Sequence, residues 1–211
     1  MGNYTIVVPA RSGSKGVPHK NRMLIQSTLN IVSESMRTHT IITTDDEVII
    51  EAYQGNHIVH RRSIATSSDT ASMKSVMLEV VNAGLLGAEN IIVLYPTYPT
   101  RTWEDVLDAI NFFERSAAKS LLCRIPYIGQ SPYLLMHPVG EYCGRQVIDH
   151  DLYRRQDYLP VFELSHCVCI FSASILHELN QNLYNRDTVF MDMCKKVDVD
   201  TEQDISTWKQ N

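Results

Sequence analysis

At 211 residues, with 44% hydrophobic and 20% charged side chains, the chain has the apolar content for one sizeable globular domain, and a second full domain is not expected. A formal net charge of −5 argues against a general nucleic-acid binder, which would carry a basic face. No basic leader or long apolar segment is present, and the five cysteines lack metal-type spacing, so a cytoplasmic protein with reduced thiols and no membrane partner is expected.

The first element is the apolar run Tyr4 to Val8, a strand that empties into "PARSGSKGVPHKN", Pro9 to Asn21. That loop carries Arg11, Lys15 and Lys20 with two glycines and two serines. Backbone N–H groups and cations gathered in such a turn stabilise a polyanion, so it reads as a phosphate cradle; on composition alone a solvated basic loop is the alternative. Neither G-x-x-x-x-G-K-[ST] nor G-x-G-x-x-G is present. Further strands are expected at "HTIITT", "NHIVH", "NIIVLY", "KSLLCRI", "HCVCIF" and "KKVDV". Amphipathic stretches lie between several of them, notably Thr70 to Ala83, with Asp69 as a possible N-cap, and Trp103 to Arg115, where Val106, Ile110 and Phe113 recur at helical spacing. Strands alternating with helices imply a mostly parallel sheet buried on both faces, with ligands beyond the carboxyl ends of its strands.

From Arg124 to Leu164 the chain is rich in Pro, Gly, Tyr and charge and loses periodicity, which predicts an arm or hairpin leaving the sheet to pack on another subunit. Cys167 and Cys169 alternate within "HCVCIF" and should share one face, as small core side chains or as a metal pair. Asp198 and Asp200, at i and i+2 of the last expected strand, should point to one side and suit Mg²⁺. Thr201, with Asp204 three residues on, marks the start of a final helix.

The thirteen-residue loop resembles the signature of the N-acylneuraminate cytidylyltransferases and of similar enzymes that activate legionaminic and pseudaminic acids. "TTDD" (Thr43 to Asp46), "RRSIATSSDTAS" (Arg61 to Ser72), "LYPTYPTR" (Leu94 to Arg101), "RRQDYLPVF" (Arg154 to Phe162) and "VDVDTEQDI" (Val197 to Ile205) are similar to that family's later motifs, in order, over nearly the whole chain. The resemblance implies a Rossmann-like α/β nucleotidyltransferase, a three-layer sandwich forming one domain over 1–211 with a dimerisation arm at 124–164. It implies CTP and a small anionic sugar acid as substrates, Mg²⁺ as cofactor and a homodimer. The hydroxyl on the anomeric carbon of a 2-keto sugar acid would attack the α-phosphate of CTP and release pyrophosphate, chemistry that needs positioning and charge neutralisation.

Carried over residue by residue, the match assigns Ala10, Arg11, Ser14, Lys15, Lys20, Asn21, Arg62, Ser68 and Asp69 to the nucleotide. Arg11 and Lys15 would bind phosphate oxygens and stabilise the leaving pyrophosphate, while Lys20, also counted as catalytic, and Asn21 would complete the cradle and help hold CTP. Asp198 and Asp200 would hold the metal, with Asp200 as general base or metal-mediated activator of the attacking hydroxyl. Tyr95, Pro96, Thr97, Arg101, Arg155, Gln156 and Ser165 would face the acceptor. Departures gather on this acceptor side: Tyr95 replaces a glutamine, while Glu163, Ser165 and His166 replace an arginine, an asparagine and a glycine. No lysine occurs between Lys119 and Lys195, which leaves Arg154 and Arg155 for an acceptor carboxylate. The segment after Asn21 also lacks the usual G-K-P-L turn. CMP transfer to a nonulosonic acid is therefore the leading expectation, with an octulosonic acid or phosphonate acceptor, or a catalytically silent nucleotide-binding relative, as alternatives.

Overall fold

The computed structural model describes residues 3–14 and 16–210. Every residue of β1 (Tyr4–Pro9) is buried, which explains an unbroken apolar run where a half-exposed strand would alternate. It lies parallel to β2 (Thr40–Thr44) on one side and β4 (Asn90–Val93) on the other. With β3 (Ile58–Arg61), β5 (Ser120–Pro126), β8 (Phe162–Ser172) and β9 (Val189–Asp192) they form a seven-stranded sheet in the order β3-β2-β1-β4-β8-β5-β9. Only β8 runs antiparallel to its neighbours.

Side chains alternate between two cores. On one face Ile6 and Val8 pack with Ile25 and Leu29 of α1 (Lys20–Ile31), Met36 of α2 (Glu34–Arg37), Ile49 of α3 (Glu47–Tyr53), and Val106, Ile110 and Phe113 of α6 (Trp103–Ser116). On the other, Val7, Ile41 and Phe171 meet Val76, Met77 and Val80 of α5 (Met73–Asn82) and the 3-10 segment Ala173–Glu178. The result is the three-layer α/β sandwich expected from the sequence. A short α4 (Ile64–Ser67) and a terminal α7 (Glu202–Gln210) complete the helices among the described residues.

Three local expectations are corrected. Asp69 caps no helix: α5 starts at Met73, where the Ser72 hydroxyl accepts from Ser75 N at 3.1 Å, and the Asp69 carboxylate is engaged by Arg11 instead. "KKVDV" is not a strand. The sheet closes with β9, and Val197 and Val199 are held in extended backbone by N–H bonds to Thr100 Oγ1 (3.1 Å) and Thr97 O (2.8 Å). Cys167 and Cys169 do not share a face. The register between β5 and β8 jumps from Leu122↔Cys169 to Cys123↔Ser165, and this bulge turns Cys167 into the α6 layer and Cys169 into the α5 layer, both buried.

The bulge also explains Arg101, which was expected to face the acceptor. Its guanidinium is 2% exposed and donates to Cys167 O (2.7 Å), Tyr95 O (3.2 Å) and Thr28 Oγ1 (3.1 Å), so it satisfies a carbonyl that the interrupted ladder leaves without a strand partner. Burial lowers its pKa to about 10, which leaves it charged at neutral pH.

Beyond the sheet, β5 and β8 stay paired as far as Pro126 and Phe162, and residues 127–161 form a projection. It carries the hairpin β6 (Met136–Val139) and β7 (Cys143–Gln146), and is held by the stacked rings of Tyr133 and Tyr158, 4.7 Å apart, with His150 edge-on. Apart from Met23, Val48, Ile58 and Ile64, the exposed large apolar side chains among the described residues all lie between 127 and 164.

Arg101→Ala should destabilise the fold by about 3 kcal/mol, because it leaves buried carbonyls unpaired and opens a cavity. Urea unfolding should show a lower midpoint, and Arg101→Lys should recover little, since one ammonium cannot fork between Cys167 and Thr28.

Candidate active site

The loop after β1 is tied at both ends and along its length. Ala10 is fully buried, its N–H bonded to Thr43 O at 2.9 Å and its carbonyl bonded by the Thr44 hydroxyl, so it roots the loop and presents no free backbone group. Ser12 gives its N–H and hydroxyl to the two oxygens of Asp45, at 2.8 and 2.6 Å. Asn21 donates to the Arg11 carbonyl at 2.8 Å. His19, at φ 55°, turns the chain into α1, so Lys20 and Asn21 are first-turn helical residues and the positive end of α1 faces the loop.

The far wall comes from the other end of the chain. Lys20, 8% exposed, donates from Nζ to Val199 O (2.6 Å) and to Asp200 Oδ1 (2.7 Å). A Cβ on Gly16 would stand 2.1 Å from the Asp200 carbonyl oxygen, so the loop tip and the 198–200 segment touch where only glycine fits. Lys15 lies outside the described residues.

Two adjoining recesses result, at the carboxyl ends of β1, β2 and β4, where the winding of the sheet reverses. The smaller, about 210 Å³, is lined by Arg11, Ser14, Lys20, Asn21, Arg62 and Pro96 among others. The larger, about 820 Å³, holds Ser68, Tyr98, His166, Gln181, Asn182, Asp198 and Asp200. Met73, Tyr95 and Thr97 line both.

The smaller recess is cationic. Arg62 is buried and makes no ion pair among the described residues; it donates to Thr43 O (3.2 Å) and Thr66 O (3.5 Å), and burial lowers its pKa to about 10. Arg11 pairs with Asp69 across its rim. In the larger recess, burial raises the Asp198 carboxyl above the usual range; the Tyr98 and Thr97 hydroxyls pull it the other way, and repulsion from Asp200 adds to the rise. A cation there would relieve that penalty. Two hard carboxylates suit Mg²⁺, which takes one or two carboxylates and completes its shell with phosphate oxygens and water. Among the described residues no group of three or more His, Cys, Asp or Glu is placed to hold a metal, so those other ligands would be required.

Several expected residues lie elsewhere. Arg101 is in the core, and Ser165, 2% exposed, lies beneath the cleft with its hydroxyl accepting from Cys167 N at 3.3 Å. Arg155 and Gln156 sit exposed on a 3-10 turn of the projection and line neither recess of their own chain. Ser68 lines the larger recess and not the smaller. Asp45, Met73, Tyr98, Gln181 and Asn182 were not singled out. Asp45 was visible within "TTDD", but Gln181 and Asn182 sit in a turn with no motif to flag them.

A cationic recess beyond the strands of a doubly wound sheet, opening onto a cleft with paired carboxylates, defines a nucleotide-handling transferase site. Residues 5–109 match the family model described as cytidylyltransferase. It is 24% identical over 220 residues to the post-translational flagellin modification protein B of Campylobacter coli, covering 97% of this chain and 93% of that protein. It is 25% identical over 212 residues to the N-acylneuraminate cytidylyltransferase of Escherichia coli, covering 94% of this chain and 49% of that relative, so it spans about half of the latter's length. The fold is similar to that of a CMP:2-keto-3-deoxy-manno-octonic acid synthetase solved with CTP (TM-score 0.71, 15% identity, 99% of this chain and 97% of that one). It is also similar to a Mycobacterium tuberculosis protein solved with manganese (TM-score 0.55, 14% identity, 99% of each chain).

Lys20→Met should loosen the carboxyl-terminal wall without unfolding the sheet. Hydrogen exchange at Val199–Thr201 should speed up by about tenfold, the effect of losing hydrogen bonds worth about 1–2 kcal/mol, while β1 and β4 keep their protection.

Proposed function

We propose that this cytidylyltransferase moves CMP from CTP to the anomeric hydroxyl of a nonulosonic acid. The observation that carries this reading is the direct tie from Lys20 to Asp200, which makes the cationic loop and the carboxylate pair two walls of one cleft. The smaller recess takes the triphosphate: Arg11, Lys20 and Arg62 supply positive charge, and Ser14 and Asn21 line its side. The larger takes the acceptor against Tyr95 and Thr97, which with Met73 line both recesses and hence stand beside the reacting centre.

The acceptor oxygen forms a bond to the α-phosphorus as the bond from that phosphorus to the bridging oxygen of the β-phosphate breaks, and pyrophosphate departs. The hydroxyl proton passes to a base in the cleft, for which Asp200 is the first choice. Asp198 and Asp200 would hold Mg²⁺, which when bound neutralises phosphate charge and lowers the pKa of an oxygen it touches. Arg11 must exchange Asp69 for phosphate, and Lys20 must share its ammonium between Asp200 and the nucleotide.

The working unit is a homodimer. The projection at 127–161 exposes Ile128, Tyr142 and Tyr153 almost completely, apolar surface that a second copy would cover, and Arg155 and Gln156 are exposed on the same projection. Among the described residues no helix is long and apolar enough to cross a membrane, and the use of CTP fits a cytoplasmic enzyme.

Purified protein with CTP and Mg²⁺ should release pyrophosphate with at least one of N-acetylneuraminate, legionaminic acid and pseudaminic acid, and faster than with 2-keto-3-deoxy-manno-octonate; silence with all four refutes the reading. Asp200→Ala should cut turnover by roughly a hundredfold or more with little change in Tm. Light scattering should give twice the chain mass of 24.0 kDa. Combining Ile128→Asp with Tyr153→Asp should shift that mass to the single chain.

A further inference from the structure

Among the described residues the larger cleft holds one imidazole, and nothing in the proposed transfer uses it. His166 sits in the bulge of β8, its backbone N–H donating to Tyr98 Oη at 3.3 Å. Its ring stands edge-on to Tyr95, one of the residues that line both recesses, with centroids 5.5 Å apart and planes 69° apart. The groups that face it are Tyr95 and Tyr98 from the loop after β4, the backbone of Asn182 from the turn after the 3-10 segment, and Asp198 from the carboxyl-terminal wall.

Burial lowers the imidazole pKa; a hydrogen bond with the backbone of Asn182 and the charge of Asp198 push the other way without prevailing. A neutral imidazole has one N–H and one lone-pair nitrogen. The ring lines the cleft edge-on to Tyr95, so its lone-pair nitrogen is available to accept from an occupant. Among the described residues the lining of the cleft contains no lysine or arginine; apart from His166 and the two aspartates its polar side chains are hydroxyls and amides, including Ser68, Ser72, Gln181 and Asn182. A sugar hydroxyl or an amide N–H would be complemented by such a lining.

We infer that His166 is a specificity-determining residue that accepts a hydrogen bond from a hydroxyl or amide N–H of the acceptor sugar acid. The identity of the occupant rests on the CMP-transfer reading; the placement of the ring does not. An acceptor whose donor is missing or inverted would leave a half-buried nitrogen unpaired, and sites built on such hydrogen bonds discriminate strongly.

The test joins kinetics with magnetic resonance on protein carrying labelled histidine. His166→Ala should raise the acceptor KM roughly tenfold while the CTP KM moves less than about twofold. His166→Gln, whose amide oxygen can accept the same bond, should return the acceptor KM to within about threefold of the unmodified protein. Adding N-acetylneuraminate to the CTP-bound protein should shift the His166 ring signals in the unmodified chain, a readout independent of turnover. Pyrophosphate release without a ring shift, or a parallel rise of both KM values, overturns the inference and leaves CMP transfer standing. A ring shift without release from any acceptor sustains the inference and removes the transfer reading. Neither shift nor release overturns both.

Discussion

The site depends on a contact between residues 180 positions apart in the chain: the Lys20 ammonium lying on Val199 O and Asp200 Oδ1. Holding two such distant segments together costs loop-closure entropy, and it is offset by two charge-assisted hydrogen bonds, one buried and one half-buried, by Val199 packed at 0% exposure, and by Gly16 allowing the loop tip to press against the Asp200 backbone. Were Gly16 any other residue, the two walls would be pushed apart. The acidic pair would then belong to a frayed carboxyl-terminal segment instead of an active-site cleft.

The same joint explains how the site tolerates so much charge without its ligands. Arg11 is balanced by Asp69, Lys20 by Asp200, and Ser12 is fixed by Asp45. Arg62 donates hydrogen bonds to neutral oxygens among the described residues; burial lowers its pKa, and the charges of Asp45 and Glu79 act in the other direction. A triphosphate with its metal would replace carboxylates on the cations and cations on the carboxylates, so binding exchanges ion pairs within a prepared field, and little reorganisation is left for the reaction itself.

On the opposite wall the organising feature is the bulge in β8. By breaking the ladder with β5 it splits Cys167 from Cys169, frees the Cys167 carbonyl for Arg101, and turns His166 toward the cleft with its N–H on Tyr98. Arg101 acts beneath the site: it pins the Tyr95 carbonyl and, through it, the loop on which Pro96 and Thr97 line the recesses. A residue that family likeness places against the acceptor works here one layer down, as the support of residues that do line the cleft.

Local pattern determined much of this protein. Continuous apolar runs marked the buried strands, helical spacing of Val106, Ile110 and Phe113 marked α6, and the Thr201–Asp204 capping pair marked α7, because each of these signals is complete within a few residues. The loop signature likewise carried the family resemblance, since its thirteen residues are contiguous in the chain. What only the tertiary structure decided lay in long-range register and packing. The Val197–Asp200 stretch alternates like a strand, yet its partners are the Thr97–Thr100 loop and Lys20, so the sheet ends earlier, at β9. Arg101 and Ser165 look like site residues until the bulge draws them inward, and His166, noted in the sequence only as a departure, is turned into the cleft by that same bulge. Periodicity reports which way a side chain points relative to its neighbours in sequence; only the assembled sheet, with its one irregular pairing, settles what stands opposite.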